Sequence, residues 1–214
     1  MNKTLLIFFV LFIFFINFIH ASSYITPYLD DLILSAHVIG FGKVKKIRWI
    51  NKRKICLIEI KRFFKNFKTG KLIPCILDLE TPRDIFLKGR VKFNTYVLIF
   101  LWELDRTNPA SVLYFKRKNL NKNFWNEYKE IFKNKSLFRP TNNHLGVFFG
   151  SKFQEKYYIS DFSYDKNGAP TFAKSKIELE LVAKMIEGVI KSAKYKKAQK
   201  ELENEILKRS SETR

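Results

Sequence analysis

Acidic residues are scarce in this chain. Only 20 Asp and Glu stand against 40 Lys and Arg, and 214 residues contain 3 His and 2 Cys. That shortage narrows the chemistry. General acid–base work needs convergent carboxylates or His. Here Asp30-Asp31 and the pair Asp161 and Asp165 read most simply as turn or strand-end residues. Cys56 and Cys75, with His37 and His144, show none of the spacings that zinc uses, so no metal site is expected. No Ser-His-Asp or Cys-His arrangement has local support. A Walker loop, a paired-His metal motif and an EF-hand loop are all missing. No catalytic residue and no cofactor is implied, and a non-enzyme is expected. An active site assembled from distant residues is the one enzymatic reading left open.

What is abundant is positive charge. A formal charge of +20 predicts attraction to polyanions such as nucleic acid, anionic lipid or envelope polymers. Lys far outnumbers Arg, and Asn, Ile and Phe are also plentiful. An AT-rich coding sequence produces that combination, so composition alone is the competing origin of the charge. Hydrophobic content of 46% is ordinary, and the 22 Phe can build a core.

The only long apolar run is Thr4 to Ile19, after Met1-Asn2-Lys3 and before Ala21-Ser22-Ser23. A short basic start, an apolar stretch and small residues resemble a secretory signal. The expected cut follows Ala21, with Ile19 at the −3 position; a cut after Ser22 is the variant. Asn17 interrupts the run, which is short for a membrane span of about 20 residues. Residues 1–21 are therefore expected to be a signal peptide and the protein to be exported, periplasmic or secreted. An uncleaved anchor at residues 4–19 is the alternative, and only that would bring membrane contact. No Cys follows the run to carry a lipid. Residues 22–190 then form one domain, and residues 191–214 a charged helical extension or tail.

Downstream, strand patterns dominate. Tyr28–Leu34 suits one or two helical turns. Ala36–Val44, Ile47–Ile50, Ile55–Ile60, Leu72–Leu79 and Tyr96–Leu101 read as strands. Gly40 and Gly42 inside the first of these suggest a bulge or a barrel corner. A phosphate-binding reading of the pair lacks the third Gly that opens a helix. Cys56, Ile58 and Ile60 share one strand face, as do Ile73, Cys75, Leu77 and Leu79. An antiparallel pair around the intervening loop would set Cys56 opposite Cys75. Export would permit a disulfide between them, with two buried free thiols as the alternative. Pro74 marks an edge or bulge. Tyr96–Trp102 is apolar throughout, as in a strand buried on both faces.

Arg48–Lys54 reads as a hairpin tip with its turn near Asn51-Lys52. Lys45, Lys46, Arg48, Trp49, Lys52, Arg53 and Lys54 form the candidate polyanion patch, since Arg and Trp engage phosphates and stacked bases. A solvated turn with a strand-end Trp is the plainer reading.

Three segments together carry a resemblance: Ala36-His37-Val38-Ile39-Gly40 with Lys43-Val44, then Lys61-Arg62-Phe63-Phe64-Lys65-Asn66, then Lys92 to Leu101. They resemble the netrin-like module, an OB-type barrel shared with tissue inhibitors of metalloproteinases and with secreted bacterial relatives. The resemblance covers about Ser35 to Trp102, under half the chain. Where that family has Gly before its Tyr-Leu-x-Phe-Leu strand, this chain has Asn94, which can adopt the left-handed conformation. The inhibitory relatives use an N-terminal Cys, and none lies near Ser22. The resemblance thus implies the fold and not the inhibition.

Beyond Trp102, Ser111–Phe115 suggests a further strand. Asn121–Phe132 fits a helix with Phe124, Trp125, Tyr128, Ile131 and Phe132 on one face. Leu145–Phe149 and Lys156–Phe162 look like late strands, with a turn at Asp165–Gly168. Ser175-Lys176-Ile177-Glu178 matches a capping box, opening a helix whose stripe is Leu181, Val182, Met185, Ile186, Val189 and Ile190. Gly188 suggests close packing there. The pattern thins to Leu202, Ile206 and Leu207 amid charges. The expected architecture is α+β: an OB-like antiparallel β-barrel with an inserted short helix and a C-terminal amphipathic helix. The expected function is binding of an unknown protein or envelope polymer, with polyanion or single-stranded nucleic-acid binding second and an enzyme third.

Overall fold

The computed structural model describes residues 28–66, 70–77, 91–105, 107–133, 135–141, 146–160, 162, 164 and 176–212, without the side chains of 202–203 and 205–212. The expected signal segment, Leu79, the Asp165–Gly168 turn and the side chains of the Leu202–Leu207 stripe lie outside what is described.

The chain begins with α1 (Leu29–Ser35), followed by β1 (Val38–Ile50), β2 (Arg53–Lys65), β3 (Leu72–Ile76) and β4 (Tyr96–Leu104). Two helices, α2 (Pro109–Arg117) and α3 (Lys122–Phe132), precede β5 (Leu137–Pro140), β6 (Val147–Phe153), β7 (Lys156–Ser160) and β8 (Lys176–Glu178). The chain ends in α4 (Leu179–Lys191) and α5 (Ala193–Glu212). The sheet order is β1-β2-β3-β5-β4-β6-β7-β8, and an added β1–β4 pairing closes β1-β2-β3-β5-β4 into a five-stranded barrel. Four of its pairings are antiparallel and β3–β5 is parallel. This is the OB-like, α+β architecture expected, with helices inserted between β4 and β5 and at the C-terminus.

Two predicted strands, Ala36–Val44 and Ile47–Ile50, are one long strand. Its register shifts at Ile39/Gly40, Phe41/Gly42 and Val44/Lys46 let a 13-residue strand bend round the barrel and pair with both β2 and β4. Gly42 is required by space: a Cβ there would lie 2.4 Å from the Glu59 carbonyl oxygen. The hairpin to β2 turns at Asn51 (φ 45°) and Lys52 (φ 63°), the two-residue turn matched to strand twist. Asn94 is left-handed (φ 67°), as its place before β4 suggested.

The core has three parts. Inside the barrel lie Val38, Val44, Cys56, Ile58, Ile60, Ile73, Cys75, Val97, Ile99, Leu101 and Phe138. On one outer side Ile39, Phe41, Leu98, Phe100 and Phe148 pack with Leu29, Leu32 and Ile33 of α1 and Leu179, Val182, Ala183 and Ile186 of α4. A third cluster joins Ile50, Ile55, Ile76 and Leu104 to Phe124, Tyr128 and Phe132 of α3. Successive β4 residues therefore alternate between the barrel interior and a helix-covered face.

Several expectations need correction. Cys56 pairs directly with Cys75 across β2–β3, as predicted, but both remain free, buried thiols and no disulfide joins them. The Leu77 N–H donates to the Lys54 carbonyl and the Ile60 N–H to the Lys71 carbonyl. Counting by twos, 56/75 is a hydrogen-bonded rung, where side chains stand farther apart than at the alternate rungs. Burial pushes Cys56 up to about 12 and Cys75 well above the usual thiol range. The same count turns the Pro74 nitrogen away from β2 toward β5, where pairing is a single rung, so no ladder bond is lost.

Ser111–Phe115 belongs to α2, not to a strand. Asn108 caps it by accepting from the Ala110 N–H, and Pro109 occupies the first turn. The helix does not open at the expected capping box: Ser175 lies outside the described residues, Lys176–Glu178 pairs with β7, and the helix starts at Leu179 with Glu178 as its N-cap. The buried stripe is accordingly Leu179, Val182, Ala183 and Ile186, and Leu181 is exposed. A Cβ at Gly188 would meet nothing within 4 Å, so that glycine marks no close packing. On α3, Phe124, Tyr128 and Phe132 are buried and Ile131 is exposed.

Candidate functional site

The predicted patch at the β1–β2 hairpin does not form one surface. Lys45 pairs with Glu59 at 3.1 Å. Arg53 donates to the Lys118 carbonyl, tying the hairpin to the end of α2. Lys54 is buried, and its ammonium donates to the Val91 carbonyl at 2.6 Å. That leaves Lys46, Arg48, Trp49 and Lys52 exposed at the tip. Lys46 and Arg48 lie on one side of the ribbon and Trp49 on the other, because neighbouring strand residues alternate. Arg48 and Trp49 therefore do not converge on one ligand.

A second surface brings cations and rings together. Lys43 of β1, Tyr96 of β4 and Gly150 of β6 are lateral neighbours across three strands. Phe41 and Tyr96 stack nearly parallel with centroids 5.8 Å apart, and Tyr157 of β7 tilts against them at 5.0 and 5.2 Å. Gly150 makes this packing feasible: a Cβ there would lie 2.9 Å from both Phe41 and Tyr96 atoms. Phe41 is buried, whereas Tyr96 and Tyr157 are half-buried. Lys43 and Lys61 each lie 5.3 Å from the Tyr96 centroid, and Lys61 lies 5.6 Å from that of Tyr157. The Lys61 ammonium donates to the Tyr157 hydroxyl at 3.3 Å. That bond raises the Lys61 pKa and lowers that of Tyr157. Nearby, Lys152 pairs with Glu155 at 2.7 Å. No carboxylate among the described residues lies within ion-pair distance of Lys43 or Lys61. Arg62, by contrast, binds Glu180 at 2.7 Å and Glu187 at 3.2 Å, fastening β2 to α4.

Chemically, this end of the barrel offers flat apolar rings flanked by ammonium groups available to anions. Single-strand binders and cation–π sites use such pairings. Sequence reading missed it because its residues come from β1, β2, β4 and β7 and meet only through strand register. Lys43, Tyr96 and Tyr157 did appear within segments already read as strands, and Lys61 within the segment that carries the netrin-like resemblance.

Among the described residues, no three His, Cys, Asp or Glu side chains form a metal-binding cluster, and no helix is long and apolar enough to cross a membrane. A cleft of about 240 Å³ lies between β3 and β5, lined by Gly70, Lys71, Pro74, Lys135, Ser136 and Phe138. No family model, curated protein or solved structure matches the chain. The barrel order is OB-like in general, and no match singles out the netrin-like family.

Proposed function

We propose that this protein is an exported, non-catalytic binding module that holds an anionic envelope polymer against the Tyr96 end of its barrel. The observation that carries the reading is the placement of Lys43 and Lys61 over Tyr96 and Tyr157 without carboxylate partners among the described residues. Rings accept the flat faces of a polymer's units, and the ammonium groups accept its acids. OB-type barrels bind oligosaccharides and oligonucleotides on their strands and loops. Export rests on the basic start, the Thr4–Ile19 run and Ala21-Ser22-Ser23. The resemblance of Ser35–Trp102 to secreted netrin-like modules is consistent with the same compartment.

Fractionation with N-terminal sequencing tests the location. A start at Ser22 or Ser23 in the envelope or medium supports it, and an intact Met1 in the cytosol contradicts it. Binding to an acidic polysaccharide, compared with its uncharged analogue, tests the ligand class. Equal binding to both sinks the anionic-polymer reading. A second reading, single-stranded nucleic acid, is favoured by the same ring-and-lysine pairing. It takes first place if the protein is cytosolic and prefers an oligonucleotide to the acidic polysaccharide.

A further inference from the structure

At the other end of the same β4 face stands a cation of a different kind. Arg139 of β5 is the lateral partner of Trp102. His37 lies on the far side of Trp102, its ring centroid 6.0 Å away and its backbone N–H donating to the Leu101 carbonyl at 2.7 Å. The Arg139 guanidinium carbon is 4.7 Å from the Trp102 centroid and 4.6 Å from that of Tyr114 on α2. Burial lowers the arginine's pKa. Its Nε is buried with no hydrogen-bond partner, and no carboxylate among the described residues lies within ion-pair distance. Two residues along, Thr141 is 4% exposed, and its Oγ1 is also buried without a partner. Arg139 as a whole is half-buried, but a buried polar atom such as its Nε is ordinarily bonded.

We propose that His37, Trp102, Tyr114, Arg139 and Thr141 form a binding site for a carboxylate. A guanidinium packed against rings offers its edge, and a planar oxyanion meets that edge with two parallel bonds. The His37 Nδ1 accepts from the Glu103 N–H at 3.1 Å, which leaves Nε2 as the proton-bearing nitrogen and a second donor. Lys65 also acts electrostatically on His37, adding positive charge. Glu103 is the one carboxylate acting on His37. It alternates with Trp102 along β4 and so belongs to the opposite face. This site is separate from the Tyr96 surface, and either can fail without the other.

The test is a titration of the ¹⁵N-labelled protein with N-acetylglycinate at constant ionic strength, following the Arg139 Nε–Hε and Trp102 indole resonances. A saturable shift of both with N-acetylglycinate, and none with N-acetylglycinamide, supports the site. N-acetylaspartate α-amide, with only its side-chain acid, separates a side-chain source from a chain terminus; binding of either acid supports the proposal. No shift, or the same shift with chloride or inorganic phosphate, overturns it. Arg139→Lys keeps the charge and removes the fork, so binding weakens roughly tenfold or more. Undiminished binding by that variant also overturns it. The wild-type titration decides the question even where the variant fails to fold.

Discussion

The two ends of the helix-covered β4 face use the same ingredients, yet their cations shift in opposite directions. At the Tyr96 end, Lys43 and Lys61 stand over rings while remaining in touch with water. The Lys61 pKa is raised by its bond to the Tyr157 hydroxyl. At the Trp102 end Arg139 and Lys65 are half-buried. Burial lowers the pKa values of His37, Arg139 and Lys65, the last to about 8. Lys65 donates to the Ile33 carbonyl at the end of α1, a bond that favours its charged form, yet desolvation prevails. A solvated ammonium attracts a polymer at long range and costs the fold little. A half-buried guanidinium without a counter-ion costs the fold something and waits for a specific acid.

The largest expected break in this contrast is Phe41→Ala. Phe41 is 1% exposed beneath Tyr96 and Tyr157, so its loss should lower unfolding free energy by about 3–5 kcal/mol. Denaturant melts measure this, and Tyr157→Ala should cost far less in the same assay. Next, Gly150→Val should cost about 1–3 kcal/mol by overpacking, since its new Cβ meets Phe41 and Tyr96. Polymer binding should fall with it while the Trp102 end stays intact, which the indole resonance of Trp102 reports.

Replacing the buried cation is expected to act differently. Arg139→Met should leave stability unchanged or raise it by up to about 1 kcal/mol, because a half-buried charge with a buried, unbonded Nε disappears. A loss of several kcal/mol would show that the guanidinium is a structural member of the fold.

Acid and base titrations separate the ends as well. The His37 pKa is lowered on folding, so the unfolded chain binds that proton more readily. Stability is full above the ordinary value of 6.5 and declines as pH falls below it, and His37→Asn should remove that decline. Lys65 behaves likewise at alkaline pH. Its folded pKa of about 8 lies below the ordinary 10.5, so stability rises between those values and is flat just below 8. Lys65→Met should remove its share of the rise, which the raised Cys56 and Cys75 thiols oppose above about 9. At the Tyr96 end, Tyr157, whose pKa is lowered by the Lys61 bond, adds a smaller rise in the alkaline window. Smallest of all is the stability effect of Lys43→Ala with Lys61→Ala, within about 0.5 kcal/mol, because both are surface side chains.

Much of the barrel was legible in the sequence, because it is written in local signals. Alternation marked β2 and β3, Gly40 and Gly42 marked the bend of β1, and Asn51-Lys52 and Asn94 marked turns with positive φ. Ser111–Phe115 was misread because its apolar and aromatic content outweighed a helix start, Asn108-Pro109, visible just before it. The sites were less legible. Lys54 looks like a surface lysine until the chain around Val91 covers it. Arg139 lies outside every strand read from the sequence, yet four residues of pairing with β4 place it beside Trp102. Tyr96, Tyr157, Lys43 and Lys61 are brought together by registers that no single window of sequence contains.

The central claim is that Lys43 and Lys61, not the hairpin tip, carry anion binding. The measurement that tests it most directly is the salt dependence of binding to an oligothymidylate, a polyanion of known charge spacing. It should be made for the wild type, for Lys43→Ala/Lys61→Ala, and for Lys46→Ala/Arg48→Ala. Each phosphate that is no longer neutralised should flatten the slope of log affinity against log salt by about 0.7. The account predicts a slope shallower by about 1.4 for the first pair, which removes two phosphate-neutralising ammonium groups, and little change for the second. An unchanged slope for Lys43→Ala/Lys61→Ala, with flattening in Lys46→Ala/Arg48→Ala, would contradict it and return the site to the hairpin.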